Sequence, residues 1–341
     1  MKDNFRKTAL KWVVAVCFVL MLILLAIHRR VVRVDSFSST IMGTETHILA
    51  LAKDEELGQK CADAARAELE NVDTVMDYHD ANSLLSEVNR GAFGRAVKVS
   101  GDLFEVISAG VKYGRISGGE FDITIGPLMD LWKNAKHKPS DAEIETAKAK
   151  VGYDKLVLDA NNMTVRFSIE GMKIDLGGIA KGYAIDKAIE AMKAAGAAGG
   201  LVDLGGNIRC FGVSPGGKGF GVGLQNPKAV ADANEPDVLM VFKIDDLSIS
   251  TSGDYRRFVD VDGERVSHIL DPATKHGAKR YSSVTVITKN AIDADALSTT
   301  FSLMDAGKAI KLAESLDGVE VLLMDHEGKI VKSSGFEKFI K

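Results

Sequence analysis

The chain has 341 residues, a formal net charge of −4, 26% charged and 46% hydrophobic positions, and only 6 prolines. That balance excludes a disordered chain, a collagen-like fibre and a binder that attracts nucleic acid through a global basic field. Three cysteines, Cys17, Cys61 and Cys210, form no CxxC pair and no Cys/His zinc spacing, which excludes a disulfide-stapled miniprotein and a zinc ribbon.

In chain order, the first element is the apolar run from Trp12 to Ile27, with Lys2, Arg6, Lys7 and Lys11 before it and His28, Arg29, Arg30 and Arg33 after it. It falls slightly short of the ~20 residues that span a bilayer, but Thr8, Ala9 and Leu10 extend it if Lys11 snorkels. Ile27, His28 and Arg29 stand where a cleaved signal peptide needs small residues. The segment 1–33 therefore reads as an uncleaved signal-anchor with one transmembrane helix, and 34–341 as a single extracytoplasmic body. The flanking charge bias does not by itself set that orientation. Cys17, preceded by Val14, Ala15 and Val16, reads as a membrane-buried cysteine rather than a lipidation site.

Beyond the run, helix and strand signals alternate irregularly, which predicts an α+β fold. Glu55–Met76 carries one apolar stripe (Leu57, Cys61, Ala64, Ala65, Leu69, Val72, Met76), and Phe104–Ile116 carries a second. Ser140 and Glu143 fit a capping box opening a helix to Lys150, and Ile179–Ala195 reads as a helix closed by Gly196. Ala291–Met304 and Lys308–Leu316 are the last helices. Strands are expected at Thr164–Phe167, Met172–Leu176, Leu201–Leu204, Phe220–Leu224, Leu239–Ile244, Ser283–Thr288 and Val319–Met324. Asp262-Gly263 signals a type I′ hairpin between Phe258–Val261 and Glu264–Leu270.

Glycine, at 33 residues, exceeds the usual ~7% and is clustered. In Asp175-Leu-Gly-Gly-Ile-Ala-Lys181-Gly182, two glycines precede a helix N-terminus. This suits an anion approached by backbone N–H groups and Lys181, or else a tight strand-to-helix turn with a surface lysine. Asp295 and Thr299 lie four apart on a helix and place two oxygens on one face, as Mg²⁺ binding or an acidic first turn would. A second cluster, Asp203-Leu-Gly205-Gly206-Asn207, follows a strand. Gly212 to Lys218 begins like a P-loop, but Gly219 stands where the Ser or Thr belongs, and no GxGxxG follows a strand. His268, on an apolar strand face, fits either a general base or a satisfied core histidine. Tyr78, after the long helix, offers a ring for stacking.

Taken together, these segments resemble the ApbE-type FAD:protein FMN transferases. The resemblance rests on Met42-Gly43-Thr44, Ser83–Asn89 after Tyr78, Phe121–Leu128 with Trp132, Asp175–Ala184 with Asp186, Gly205-Gly-Asn207, Ile249–Tyr255, His268–Pro272 and Asp293–Thr299, in the family's order. It implies a T-fold-related domain that binds FAD in a cleft, requires Mg²⁺, and joins FMN through a phosphoester to a Thr or Ser of an acceptor protein, releasing AMP. By the same resemblance the flavin contacts Met42, Tyr78, Glu120, Phe121, Asp122, Asp175, Lys181 and Ile269. Mg²⁺ is held by the Gly178 carbonyl, Asp295, Thr299 and Ser298, and His268 activates the acceptor hydroxyl. The family's usual acceptors are subunits of membrane electron-transfer complexes. One departure is visible, Lys275-His276 between Thr274 and Gly277, in the loop that would cover the acceptor. An FAD pyrophosphatase releasing FMN and AMP, or a non-enzymatic FAD-binding protein, would share the same cleft.

Overall fold

The computed structural model describes Trp12 and residues 31–341 other than 134, 136, 215–216, 227–235, 254–257, 262–263 and 268–279. Apart from Trp12, the apolar run lies outside the described residues, as do His268 and Ile269; among the described residues no helix is long and apolar enough to cross a membrane.

An eight-stranded antiparallel sheet organises the chain. In sequence its strands are β1 (Val32–Ile41), β2 (Thr44–Ala52), β6 (Gly199–Leu204), β7 (Asn207–Gly212), β10 (Ser248–Gly253), β13 (Ser283–Thr288), β14 (Glu320–Met324) and β15 (Ile330–Lys332), and this is also their order across the sheet. β1 begins at Val32, so the sheet takes in the last two residues of the segment assigned to the anchor. A small sheet of β3 (Val97–Lys98), β5 (Thr164–Phe167) and β4 (Leu156–Asp159) and two hairpins, β8 (Phe220–Gln225) with β9 (Val238–Ile244) and β11 (Phe258–Val261) with β12 (Glu264–Ser267), complete the strands. In the last hairpin Val261 pairs with Glu264, the register that a two-residue Asp262-Gly263 turn demands.

Side chains alternate across the large sheet, and both faces are covered. Ile48, Ala50, Val202, Leu204, Val284, Val286 and Leu323 face a core filled by α1 (Glu55–Met76), α3 (Gly101–Ser117) and α6 (Ala180–Ala195). Leu49, Leu51, Leu201, Ile249, Ile287 and Leu322 point the other way, against the β8–β9 hairpin and Phe336. Cys61 sits in the first core and Cys210 in the second, so the sheet separates them and both are free thiols. Burial pushes the Cys210 thiol up to about 11.

The expected helices are present with shifts of a few residues. They include α5 (Asp141–Lys148) with its complete Ser140/Glu143 capping box, and α6, which Gly196 closes at φ +104°. Short helices α2 (Leu84–Gly91) and α4 (Gly126–Lys133) and strands β1, β2, β3, β4, β7, β10 and β15 add to the expected set. Met172–Leu176 is a correction. Met172, Ile174 and Leu176 are buried in alternation, but the segment joins no sheet beyond one bridge of Lys173 to Ile125. Its backbone is satisfied elsewhere: the Ile174 N–H donates to Asn89 Oδ1, Asn89 Nδ2 donates to the Ile174 carbonyl, and the Asp175 N–H donates to the Ile123 carbonyl at 2.7 Å.

Asp186 on α6 fastens this body to α7 (Ala291–Leu303), which α8 (Ala306–Ser315) follows. Its carboxylate accepts the Ala291 and Ile292 N–H groups at 2.8 and 3.0 Å, capping α7, and pairs with Arg209 of β7. Burial raises its pKa against the pull of Arg209. Truncating one partner of such a pair strands the other charge. Asp186→Ala is therefore expected to lower unfolding free energy by about 3 kcal/mol in urea denaturation. Asp186→Asn, which keeps an acceptor for α7, should lose less.

Candidate functional site

At one end of the large sheet two tight hairpin turns lie side by side. Met42-Gly43 joins β1 to β2 and Gly205-Gly206 joins β6 to β7, closing the pairs Ile41–Thr44 and Leu204–Asn207. All four turn residues have positive φ (+50°, +65°, +65° and +88°), the requirement of a type I′ turn. Met42 is the one without glycine's freedom, and its N–H donates to Asp73 Oδ2 on α1 at 2.9 Å.

Beside these turns α6 and α7 cross. The α6 N-cap, Ile179, has no side-chain cap; Asp295 of α7 accepts the N–H of Gly182, the third helical residue, at 2.9 Å through Oδ2. Gly182 is required by that crossing, because a Cβ there would lie 2.2 Å from the Ala291 carbonyl oxygen. Asp295 Oδ1 accepts from Asn207 Nδ2 at 2.7 Å and from Lys181 Nζ at 3.4 Å. Behind the carboxylate runs a buried hydroxyl chain. Ser250 Oγ donates to Asn207 Oδ1 at 2.6 Å, and Ser298 Oγ lies 3.1 Å from Ser250 Oγ and 2.9 Å from Ser252 Oγ and donates to the Asp295 carbonyl. Thr299, one turn beyond Asp295, packs against Gly178, where a Cβ would stand 3.4 Å from Thr299 Oγ1.

The opposite wall is made by the loop after α3, the loop after α1 and the extended segment 172–176. Asp122 accepts from the Thr124 N–H and hydroxyl at 2.8 and 2.6 Å and from the Tyr153 N–H at 2.9 Å, so both its oxygens hold the loop together. Tyr78 donates its hydroxyl to Asp130 Oδ1 at 2.9 Å, and Lys173 pairs with the other Asp130 oxygen. Asp175 Oδ1 accepts the Gly177 N–H at 2.8 Å. Burial pushes the Asp175 and Asp122 carboxyls and the Tyr78 hydroxyl upward in pKa; Asp130 adds to the rise at Tyr78.

These walls enclose a cleft of about 2110 Å³ lined by Met42, Tyr78, Glu120, Phe121, Asp122, Asp175, Gly178, Lys181, Asp295 and Thr299, ten of the residues singled out from the sequence. Ser298 is fully buried behind Asp295, its hydroxyl shared among protein partners. His268 and Ile269 lie outside the described residues. Among the described residues no group of three His, Cys, Asp or Glu converges as a metal cage. Asp295, Thr299 and Gly178 line the same cleft, and a carboxylate, a hydroxyl and a backbone carbonyl are the hard oxygen donors that Mg²⁺ or Mn²⁺ accepts alongside water and phosphate. Sequence reasoning left Asp73, Asp130 and Asn207 without roles. Asn207 had a signal, since it directly follows a Gly-Gly turn, whereas Asp73 is one more acid on an acidic helix.

The family model for the ApbE family matches residues 42–323. The FAD:protein FMN transferase of Haemophilus influenzae is 27% identical over 336 residues, covering 95% of this chain and 96% of that protein. Among solved structures, the ApbE protein of Thermotoga maritima superposes with a TM-score of 0.82 at 31% identity, covering 92% of this chain and all of that one. The flavin transferase ApbE of Vibrio cholerae gives 0.80 at 27% identity, covering 91% of this chain and all of that one. This chain, with its cleft at the end of the sheet, belongs to the ApbE family.

Proposed function

We propose that this chain is an FAD:protein FMN transferase that splits the FAD pyrophosphate, attaches FMN through a phosphoester to a threonine or serine of an acceptor protein, and releases AMP. The observation that carries the reading is the corner where Asp295, Thr299 and Gly178 meet Lys181 at the N-terminus of α6, inside the cleft. The cleft exceeds the ~300–1,000 Å³ of ordinary small-molecule sites, leaving room for a dinucleotide and a segment of a second protein.

Asp295, Thr299 and the Gly178 backbone would hold Mg²⁺, and Ser298 with Ser250 and Asn207 would keep the carboxylate in place. The cation, when bound, supplies charge neutralisation at the pyrophosphate. Lys181 and the positive end of the α6 dipole add positive potential to the same spot. Phosphoryl transfer of this kind depends on positioning and neutralisation rather than covalent help. In the transfer itself the acceptor oxygen bonds to the FMN phosphorus, the bond to the AMP oxygen breaks, and the hydroxyl proton passes to a base, for which His268 is our candidate. Met42, Tyr78, Glu120–Asp122, Asp175 and Ile269 would form the flavin pocket within a T-fold-related body. Tyr78, whose hydroxyl is tied to Asp130, would offer its ring to the flavin.

The basic-flanked apolar run Trp12–Ile27 supports anchoring of the segment before β1 in the bacterial cytoplasmic membrane, with the body that begins at Val32 on the periplasmic side. There the acceptors would be subunits of membrane electron-transfer complexes.

Full-length protein incubated with FAD, Mg²⁺ and a threonine-bearing acceptor domain should increase the acceptor's intact mass by one FMN residue, and EDTA should abolish the shift. Free FMN and AMP without a mass shift would instead indicate a pyrophosphatase, and intact FAD throughout a binding protein. Asp295→Ala is expected to lower turnover at least about a hundredfold. Asp175 yields a prediction of opposite sign for stability. Its folded pKa is raised above the ordinary 3.8, so the folded state holds the proton more tightly. Stability therefore falls as pH rises from the ordinary carboxylate range up through the raised folded value. Asp175→Asn should raise unfolding free energy at pH 7 by about 1 kcal/mol, with the gain shrinking toward pH 4. The same substitution should weaken FAD binding.

A further inference from the structure

Three non-glycine residues among those described have positive φ, Met42, Met163 and Asp246, and of these Met42 lines the cleft. A type I′ turn normally takes Asn, Asp or Gly at that position, because a longer side chain crowds the following carbonyl. Strain of this kind persists only where the surroundings over-determine it, and it concentrates where a ligand is gripped. Two constraints act on Met42. The strand pairing of Ile41 with Thr44 leaves only two residues to reverse the chain. From a different element, Asp73 Oδ2 accepts the Met42 N–H at 2.9 Å. Asp73 is itself fixed, since its neighbours Val72 and Met76 on α1 are buried in the helix-side core. Both Asp73 and Met42 face the same cleft as Asp175 and Asp295.

We infer that Asp73 is a positioning residue for flavin binding. Its hydrogen bond holds the Met42–Gly43 turn in the left-handed conformation, so that this wall of the cleft is formed before the flavin arrives. The inference rests on the reading above, in which Met42 touches the flavin. A preformed wall lowers the ordering cost of binding, so the effect belongs to FAD affinity rather than to the transfer step. Asparagine at 73 keeps an oxygen that accepts the same N–H, and glycine at 42 adopts positive φ without an anchor.

The test uses full-length protein, with FAD binding read from flavin fluorescence and transfer read from acceptor mass. Asp73→Ala is expected to raise the Kd for FAD, and KM with it, about tenfold, the size of one hydrogen bond to a charged acceptor. Its kcat at saturating FAD should stay within about twofold of the parent. Asp73→Asn should keep the Kd within about threefold. In a Met42→Gly background the effect of Asp73→Ala should shrink to about twofold, because the two changes act through one turn. Unchanged FAD affinity in a folded Asp73→Ala protein, with only the thermal midpoint lowered, would overturn the inference and leave Asp73 a structural residue. So would an undiminished tenfold effect in the Met42→Gly background. Failure of the parent protein to bind FAD would instead bring down the flavin reading and this inference with it.

Discussion

Asp295 joins two helices, a sheet turn and a lysine through one buried carboxylate. It caps α6 at Gly182, receives the Asn207 amide from the start of β7, and draws Lys181 to within 3.4 Å. A buried carboxylate without hydrogen-bond partners would be strongly disfavoured at that depth, and here three donors meet it. The crossing of α6 and α7 must be close for this reach, and Gly182 is what lets the backbones meet. Asp186 repeats the device in the opposite direction, capping α7 from α6. Each helix start is thus closed by a carboxylate of the other, and the N-terminus of α6 is held at the cleft rather than buried in a core.

The position of that cleft follows from the sheet. Both faces are covered, one by helices and the other by the β8–β9 hairpin, so neither can take a large ligand. What remains is an end, where two adjacent two-residue turns and the helix crossing leave a hollow. Glycine-bearing turns and polar side chains line it together with larger apolar ones such as Met42, Phe121 and Trp132.

The fold was legible in the sequence wherever a period was strong. The α1 stripe, the Ser140 capping box, the Gly196 stop and the strand Ser283–Thr288 follow from spacing alone. Met172–Leu176 misled because alternation reports burial on one side and says nothing about hydrogen-bond partners, which here are Asn89 and the 121–125 loop. β1, β2 and β10 were missed because their polar and apolar residues do not alternate cleanly. The candidate site was legible through motifs in order, but the residues behind it were not. Asp73 and Asp130 act through partners 31 and 52 residues away, Met42 and Tyr78, and no local pattern announces a contact at that separation.

The cleft is rich in carboxylates, although FAD, the substrate in the name of the chain's relatives, carries a pyrophosphate. Two like charges about 4 Å apart repel by roughly 4 kcal/mol at the effective dielectric of a protein surface, so several unmanaged acids would forbid such a substrate. Several of the acids here are tied to donors of the protein. Asp122 is turned onto the Thr124 and Tyr153 donors, Asp73 onto the Met42 amide, and Asp203 onto the Gly206 amide at 2.7 Å. Asp175 is shifted toward its neutral form by burial. Among the acids that line the cleft, Asp295 is held by three donors and stands beside Lys181 and the positive end of α6. The same hydrogen bonds that make the end of the sheet foldable tie these charges to partners within the protein.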